Sequence, residues 1–74
     1  MTDKLEPKVK VKPRLIKILR ERKITQMQLS KKSGVPQGSI SRFDSRTKHE
    51  ANHLFSIARA LDIDIDDLFE IVDE

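Results

Sequence analysis

Gly34 constrains this 74-residue chain more than any other residue. It stands just past the apolar pattern of one short helix, QMQLSKKS, and only a Val35-Pro36 step before a second helical segment, QGSISRF. Glycine enters the left-handed region without a side-chain penalty, so one helix can stop here and another begin almost at once. A connection that short forces the two helices into contact. Whatever the chain folds into must therefore be built around this pair.

Helix-start signals surround it. Thr25 is a good N-cap, Gln28 three residues on can close a capping box, and Ile24 can staple to Leu29. Upstream, Pro13 suits a helix start, and RLIKILRER follows with Leu15, Ile18, Leu19 and Arg22 at helical spacing. Downstream, Ile40 and Phe43 lie one turn apart and face inward. A polar loop, DSRTKHE, leads to a fourth helix, ANHLFSIARAL, with Leu54, Ile57, Ala58 and Leu61 on one side. Thr47, with Glu50 in box position, or a later residue can cap it. Asp64 and Asp67 form a second capping box that opens a short fifth helix, IDDLF, with Ile63 placed to staple to Leu68. The ending EIVDE either extends that helix or runs as a strand beside KVKVK, Lys8 to Lys12, where charge and β-branched residues alternate.

The expected fold is all-α: five short helices with possible short strands at both ends. The expected division is a flexible basic arm or short strand over 1–12 and one domain over 13–74. So short a chain buries only about 60% of the surface its unfolded form exposes, enough for one modest core. Leu15, Leu19, Leu29, Val35, Ile40, Phe43, Leu54, Ile57, Leu61 and Leu68 are its expected members.

Thr25 to Ser45, TQMQLSKKSGVPQGSISRFDS, carries the physical signature of a helix-turn-helix. Ser30 is small where the second helix must cross the first, Gly34 makes the turn, and Val35, Ile40 and Phe43 hold the second helix down. Here the chain resembles the Cro and phage-repressor-type (XRE-type, lambda-repressor-like) helix-turn-helix domains, over about residues 13–70. The likeness rests on ITQMQLSKKSGV, SISRFD and LFSIARALDIDIDDLFE. It implies five helices, the third (about residues 36–43) entering the major groove, and a homodimer on a palindromic operator. It also implies a phosphate contact for Gln26, a base contact for Gln37, and DNA-facing positions for Ser39 and Arg42. Two positions depart from the family pattern. Pro36 stands where Ser or Thr usually caps, and Gly38 stands where a base-reading side chain is common.

The residues by themselves agree with that reading. Glutamine can pair bidentately with adenine, and arginine with guanine O6 and N7. With Ile40 and Phe43 inward, Gln37, Gly38, Ser41 and Arg42 fall on or beside the open side and form the expected base-reading set. Gln26, Lys31, Lys32, Ser39, Arg46 and Lys48 are the expected phosphate contacts, which supply affinity more than specificity. Charge is segregated. Residues 1–60 hold 15 Lys and Arg against 5 Asp and Glu, or +10, while residues 61–74 hold 7 acids and no base, or −7. The basic body suits a polyanion and the acidic end does not.

Other chemistry finds little support. HEANH, His49 to His53, fits the H-E-x-x-H pattern of zinc peptidases, but the chain has only these two histidines and no cysteine. They read as exposed polar residues, His49 close enough to the DNA to meet a phosphate. The run Asp62 to Asp67 lacks the glycine and terminal glutamate of a calcium loop. Ser39, Ser41 and Ser45 have no matched base. The three phenylalanines read as structural, and Met27 as apolar filler. No cofactor, no metal, no catalysis and no membrane partner are expected, and the absence of a signal-like or spanning apolar run fits a cytoplasmic protein. The expected function is a sequence-specific double-stranded DNA-binding transcriptional regulator, a repressor of phage or mobile-element type. The alternative is a protein-binding regulatory module, antitoxin-like or anti-repressor, that keeps the fold. An exposed basic face on the second helix of the pair favours the first, and an apolar one the second.

Overall fold

A computed structural model of the protein describes residues 8–72. The order is β1 (Lys10–Pro13), α1 (Leu15–Arg22), α2 (Gln26–Ser33), α3 (Gln37–Ser41), a 3₁₀ turn (Phe43–Ser45), α4 (Ala51–Leu61), a second 3₁₀ turn (Ile65–Leu68) and β2 (Phe69–Val72). The domain is all-α with flanking strands, and it has four α-helices rather than five. The expected fifth helix is one turn of 3₁₀ helix. Its Asp64–Asp67 capping box does form, but the last carbonyls of the turn are taken from outside. The Arg14 backbone N–H donates to the Leu68 carbonyl at 2.9 Å, and Arg14 Nε donates to the Asp67 carbonyl at 3.0 Å. Phe69 then leaves in extended conformation, and the chain joins β1 instead of continuing the helix.

The strand option for the tail is the one adopted. β1 and β2 pair antiparallel, Lys10 opposite Val72, Val11 opposite Ile71, Lys12 opposite Glu70 and Pro13 opposite Phe69. Pro13 ends this strand rather than starting α1. That position suits a residue with no backbone donor. Residues 1–7, 73 and 74 fall outside the described segment.

Helix α1 starts without a local cap: Arg14 occupies the N-cap position, and its side chain makes no capping bond to the helix. The carboxylate of Asp44, 29 residues away, accepts instead from Leu15 N–H at 2.8 Å and Ile16 N–H at 3.1 Å. At the other end of α1, Arg22 Nη1 donates to the Leu61 carbonyl at the C-terminus of α4. α1 and α4 end on left-handed residues that are not glycine, Lys23 and Asp62, each at φ 58°. In both cases the next residue is an isoleucine whose N–H reaches back into the last turn, Ile24 to the Leu19 carbonyl and Ile63 to the Ala58 carbonyl, each at 3.0 Å. Both isoleucines pack against the core, so apolar burial offsets the backbone cost of roughly 1 kcal/mol or more.

The core contains Leu15, Ile18, Leu19, Leu29, Val35, Ile40, Phe43, Ile57, Ala58, Leu61 and Leu68. Side chains of this kind contribute about 1.5–3 kcal/mol each on full burial. Leu54 is half-buried instead of central, because it sits in the first turn of α4 at the rim of the cluster.

Candidate nucleic-acid interface

The turn between α2 and α3 is locked by two serines. Thr25 and Gln28 close the capping box at the start of α2, with bonds of 3.0 and 2.8 Å. Gly34 ends the helix at φ 81°, its N–H donating to the Ser30 carbonyl at 2.8 Å. The backbone of buried Val35 then finds both partners on α2. Its N–H donates to Ser33 Oγ at 3.1 Å, and its carbonyl accepts from Ser30 Oγ at 2.7 Å. Ser30 was expected here for its size, and its hydroxyl is used as well. A buried peptide group left without partners would cost about 1–3 kcal/mol, so these bonds fix where α3 departs.

Helix α3 is short. Pro36 holds its N-cap position without a side-chain bond, the helix covers Gln37–Ser41, and Arg42 (φ −100°, ψ 1°) turns into the 3₁₀ segment. The expected helix over about residues 36–43 is thus shortened at both ends. A proline at the N-cap has no side-chain acceptor for the first turn, and Arg42 already has non-helical dihedrals. Ile40 and Phe43 face the core at 0% and 3% exposure, leaving Gln37, Gly38, Ser41 and Arg42 exposed together.

The remaining candidates divide. Ser39 is half-buried and lines a cleft of about 100 Å³ with Arg46, Lys48, His49, His53 and one acid, Glu50. Arg46 and Lys48 are exposed on the loop that closes it. Gln26 is half-buried in the first turn of α2, while Lys31 and Lys32 are exposed in its last turn, and none of the three lines that cleft.

The histidines differ from expectation, since both are half-buried. His49 Nε2 lies 2.8 Å from the Phe43 carbonyl, which can only accept, so this nitrogen carries the proton. The imidazole sits 4.2 Å from the Phe43 ring and edge-on to Phe69 at 5.8 Å. It joins the 3₁₀ turn after α3 to the start of β2. His53 is 3.8 Å from Glu50. Since α4 begins at Ala51, the two histidines do not share a helix. Among the described residues, no three His, Cys, Asp or Glu side chains gather as a metal site.

Asp44 is the positioning residue that the sequence reading missed. The sequence shows only that α1 has no Ser, Thr, Asp or Asn to cap it, so its acceptor has to come from elsewhere in the chain. By bonding to α1, Asp44 anchors the chain just after α3.

The sequence profile of the Cro/C1-type HTH DNA-binding domain matches residues 14–74. The chain belongs to this family. No curated protein and no solved structure matches it. The matched span runs from the residue before α1 through β2, so β1 lies outside it. A Cro/C1-type domain is a regulatory module that binds DNA sequence-specifically, and its fold is not a catalytic one. No helix among the described residues is long and apolar enough to cross a membrane.

Proposed function

We propose that this Cro/C1-type domain is a repressor of phage or mobile-element type that reads a palindromic operator as a homodimer, with α3 in the major groove. The observation that carries the reading is the outward run of Gln37, Gly38, Ser41 and Arg42, held by inward Ile40 and Phe43. Gln37 and Arg42 read base edges. Ser39, Arg46 and Lys48 meet the backbone from the adjoining cleft, with Gln26, Lys31 and Lys32 as further phosphate contacts on α2. The large apolar side chains exposed among the described residues are Val9, Val11, Met27, Phe55, Ile71 and Val72, none of them on α3 or the loop after it. That distribution favours DNA over a protein partner at this face.

The dimer reading draws on the β ribbon. Residues directly opposite in an antiparallel pair share a face. One face carries Val11 with Ile71 and Pro13 with Phe69, and the other carries Lys10 with Val72 and Lys12 with Glu70. The first face thus presents Val9, Val11 and Ile71 to solvent without a lysine. A second copy packed there meets no like-charged basic row, and a two-fold pair doubles the short stretch that one recognition helix can read.

Selection of bound duplexes from a random library at about 150 mM salt, where non-specific phosphate binding is weakened, tests the function. The expected product is a palindrome. Gln37→Ala lowers affinity for it by about 1–3 kcal/mol and relaxes one base position in each half-site. Recovery of no preferred duplex sinks the proposal.

A further inference from the structure

Gly38 is a puzzle for helix α3. Glycine weakens a helix relative to alanine, and this helix has only five residues and no side-chain cap. Nor does the backbone require it, since Gly34 is the glycine with positive φ and Gly38 is not. The space above it explains it better. A Cβ at position 38 would stand 3.1 Å from Arg42 Nη1 and 3.9 Å from Arg42 Cζ. Nη1 also donates to the Gly38 carbonyl at 3.2 Å. That same oxygen accepts from the Arg42 backbone N–H at 3.2 Å and from Ser41 Oγ at 3.1 Å. The guanidinium therefore lies back along α3, over the glycine and one turn before its own Cα.

We infer that Gly38 is a specificity-determining residue that acts by lacking a side chain: it seats the Arg42 guanidinium where a residue-38 side chain would otherwise read DNA. The inference rests on the operator-reading function proposed above. Only Nη1 is committed to the helix, so Nε and Nη2 remain for a bidentate contact with guanine O6 and N7. The carbonyl bond limits the rotamers of a long, exposed side chain, and a guanidinium held in place gives up less freedom when it binds. Arg42 is seated over Gly38, the residue that follows Gln37 in the chain. Ser41, its hydroxyl donating to the same carbonyl, supports the seat.

The test measures affinities of wild type, Gly38→Ala, Gly38→Val, Arg42→Ala and the Gly38→Val/Arg42→Ala double variant. The probes are the duplex recovered by selection and its single-base-pair variants. Arg42→Ala is expected to erase preference for one G·C pair per half-site, about ten-fold or more. Gly38→Val fills the seat and erases preference at that same pair, but changes nothing further once Arg42 is gone, the coupling expected of residues in contact. Gly38→Ala, which favours the helix and so keeps the domain folded, raises the melting temperature yet reduces the same preference. If Gly38→Val does not fold, Gly38→Ala with Arg42→Ala completes the cycle. Gly38 variants that leave the preference intact, or effects that multiply independently in the double variant, overturn this inference alone. A library that yields no preferred duplex overturns operator reading, and this inference with it.

Discussion

Asp44 shows how one side chain can belong to two parts of the molecule. Its carboxylate caps α1 through Leu15 and Ile16 while its backbone lies in the turn that follows α3. Asp44→Ala leaves two partly buried N–H groups at the α1 terminus without that acceptor. The expected loss is about 1–3 kcal/mol, read in a thermal melt as a fall of roughly 4–8 °C per kcal/mol for a domain of this size. A melting temperature within a degree of wild type would show that water replaces the carboxylate. Its partner was hidden because a cap made across 29 residues has no local spacing to betray it. The same limit applies to His49, which reads in sequence as a polar loop residue and stands in the structure against two phenylalanine rings.

The elements were legible where their signals were local. Thr25, Gln28 and Gly34 mark the ends of α2 by short-range hydrogen bonding and backbone conformation, and the structure places each as expected. Thr25→Ala opens the capping box and is expected to cost about 1 kcal/mol. Urea unfolding should show a lower midpoint with an unchanged slope. A changed slope would mean that the variant alters the compactness of a state and not α2 alone. The fifth helix shows the reverse case. Its capping box forms, yet Arg14 takes the carbonyls of Asp67 and Leu68, and Phe69 pairs with Pro13. A start signal says nothing about competition for the other end.

For the whole molecule, charge and apolar surface have separate places. Asp67 of the acidic tail and Glu21 share a cleft with Arg14, Lys17 and Arg22 beside α1, and the cleft at α3 carries Arg46, Lys48 and the single acid Glu50. The exposed ribbon face is the second surface, and Ile71 is 67% exposed on it. If that face joins two copies, Ile71→Lys leaves the fold intact, makes the protein monomeric in sedimentation equilibrium, and weakens operator binding without altering base preference. Dimers that persist in Ile71→Lys would place the interface elsewhere.

By itself the sequence determined the helix pair around Gly34, the inward positions of Ile40 and Phe43, and with them the outward set from Gln37 to Arg42. Those features follow from helical periodicity and glycine's backbone freedom, both of which act over a few residues. Tertiary structure alone decided the cap on α1, the 3₁₀ turn in place of a fifth helix, the choice of strand for the tail, and the seat of Arg42 over Gly38. Each depends on which of several competing partners reaches a polar group first, or on where a long side chain comes to rest. Those outcomes exist only once the chain has brought its distant parts together.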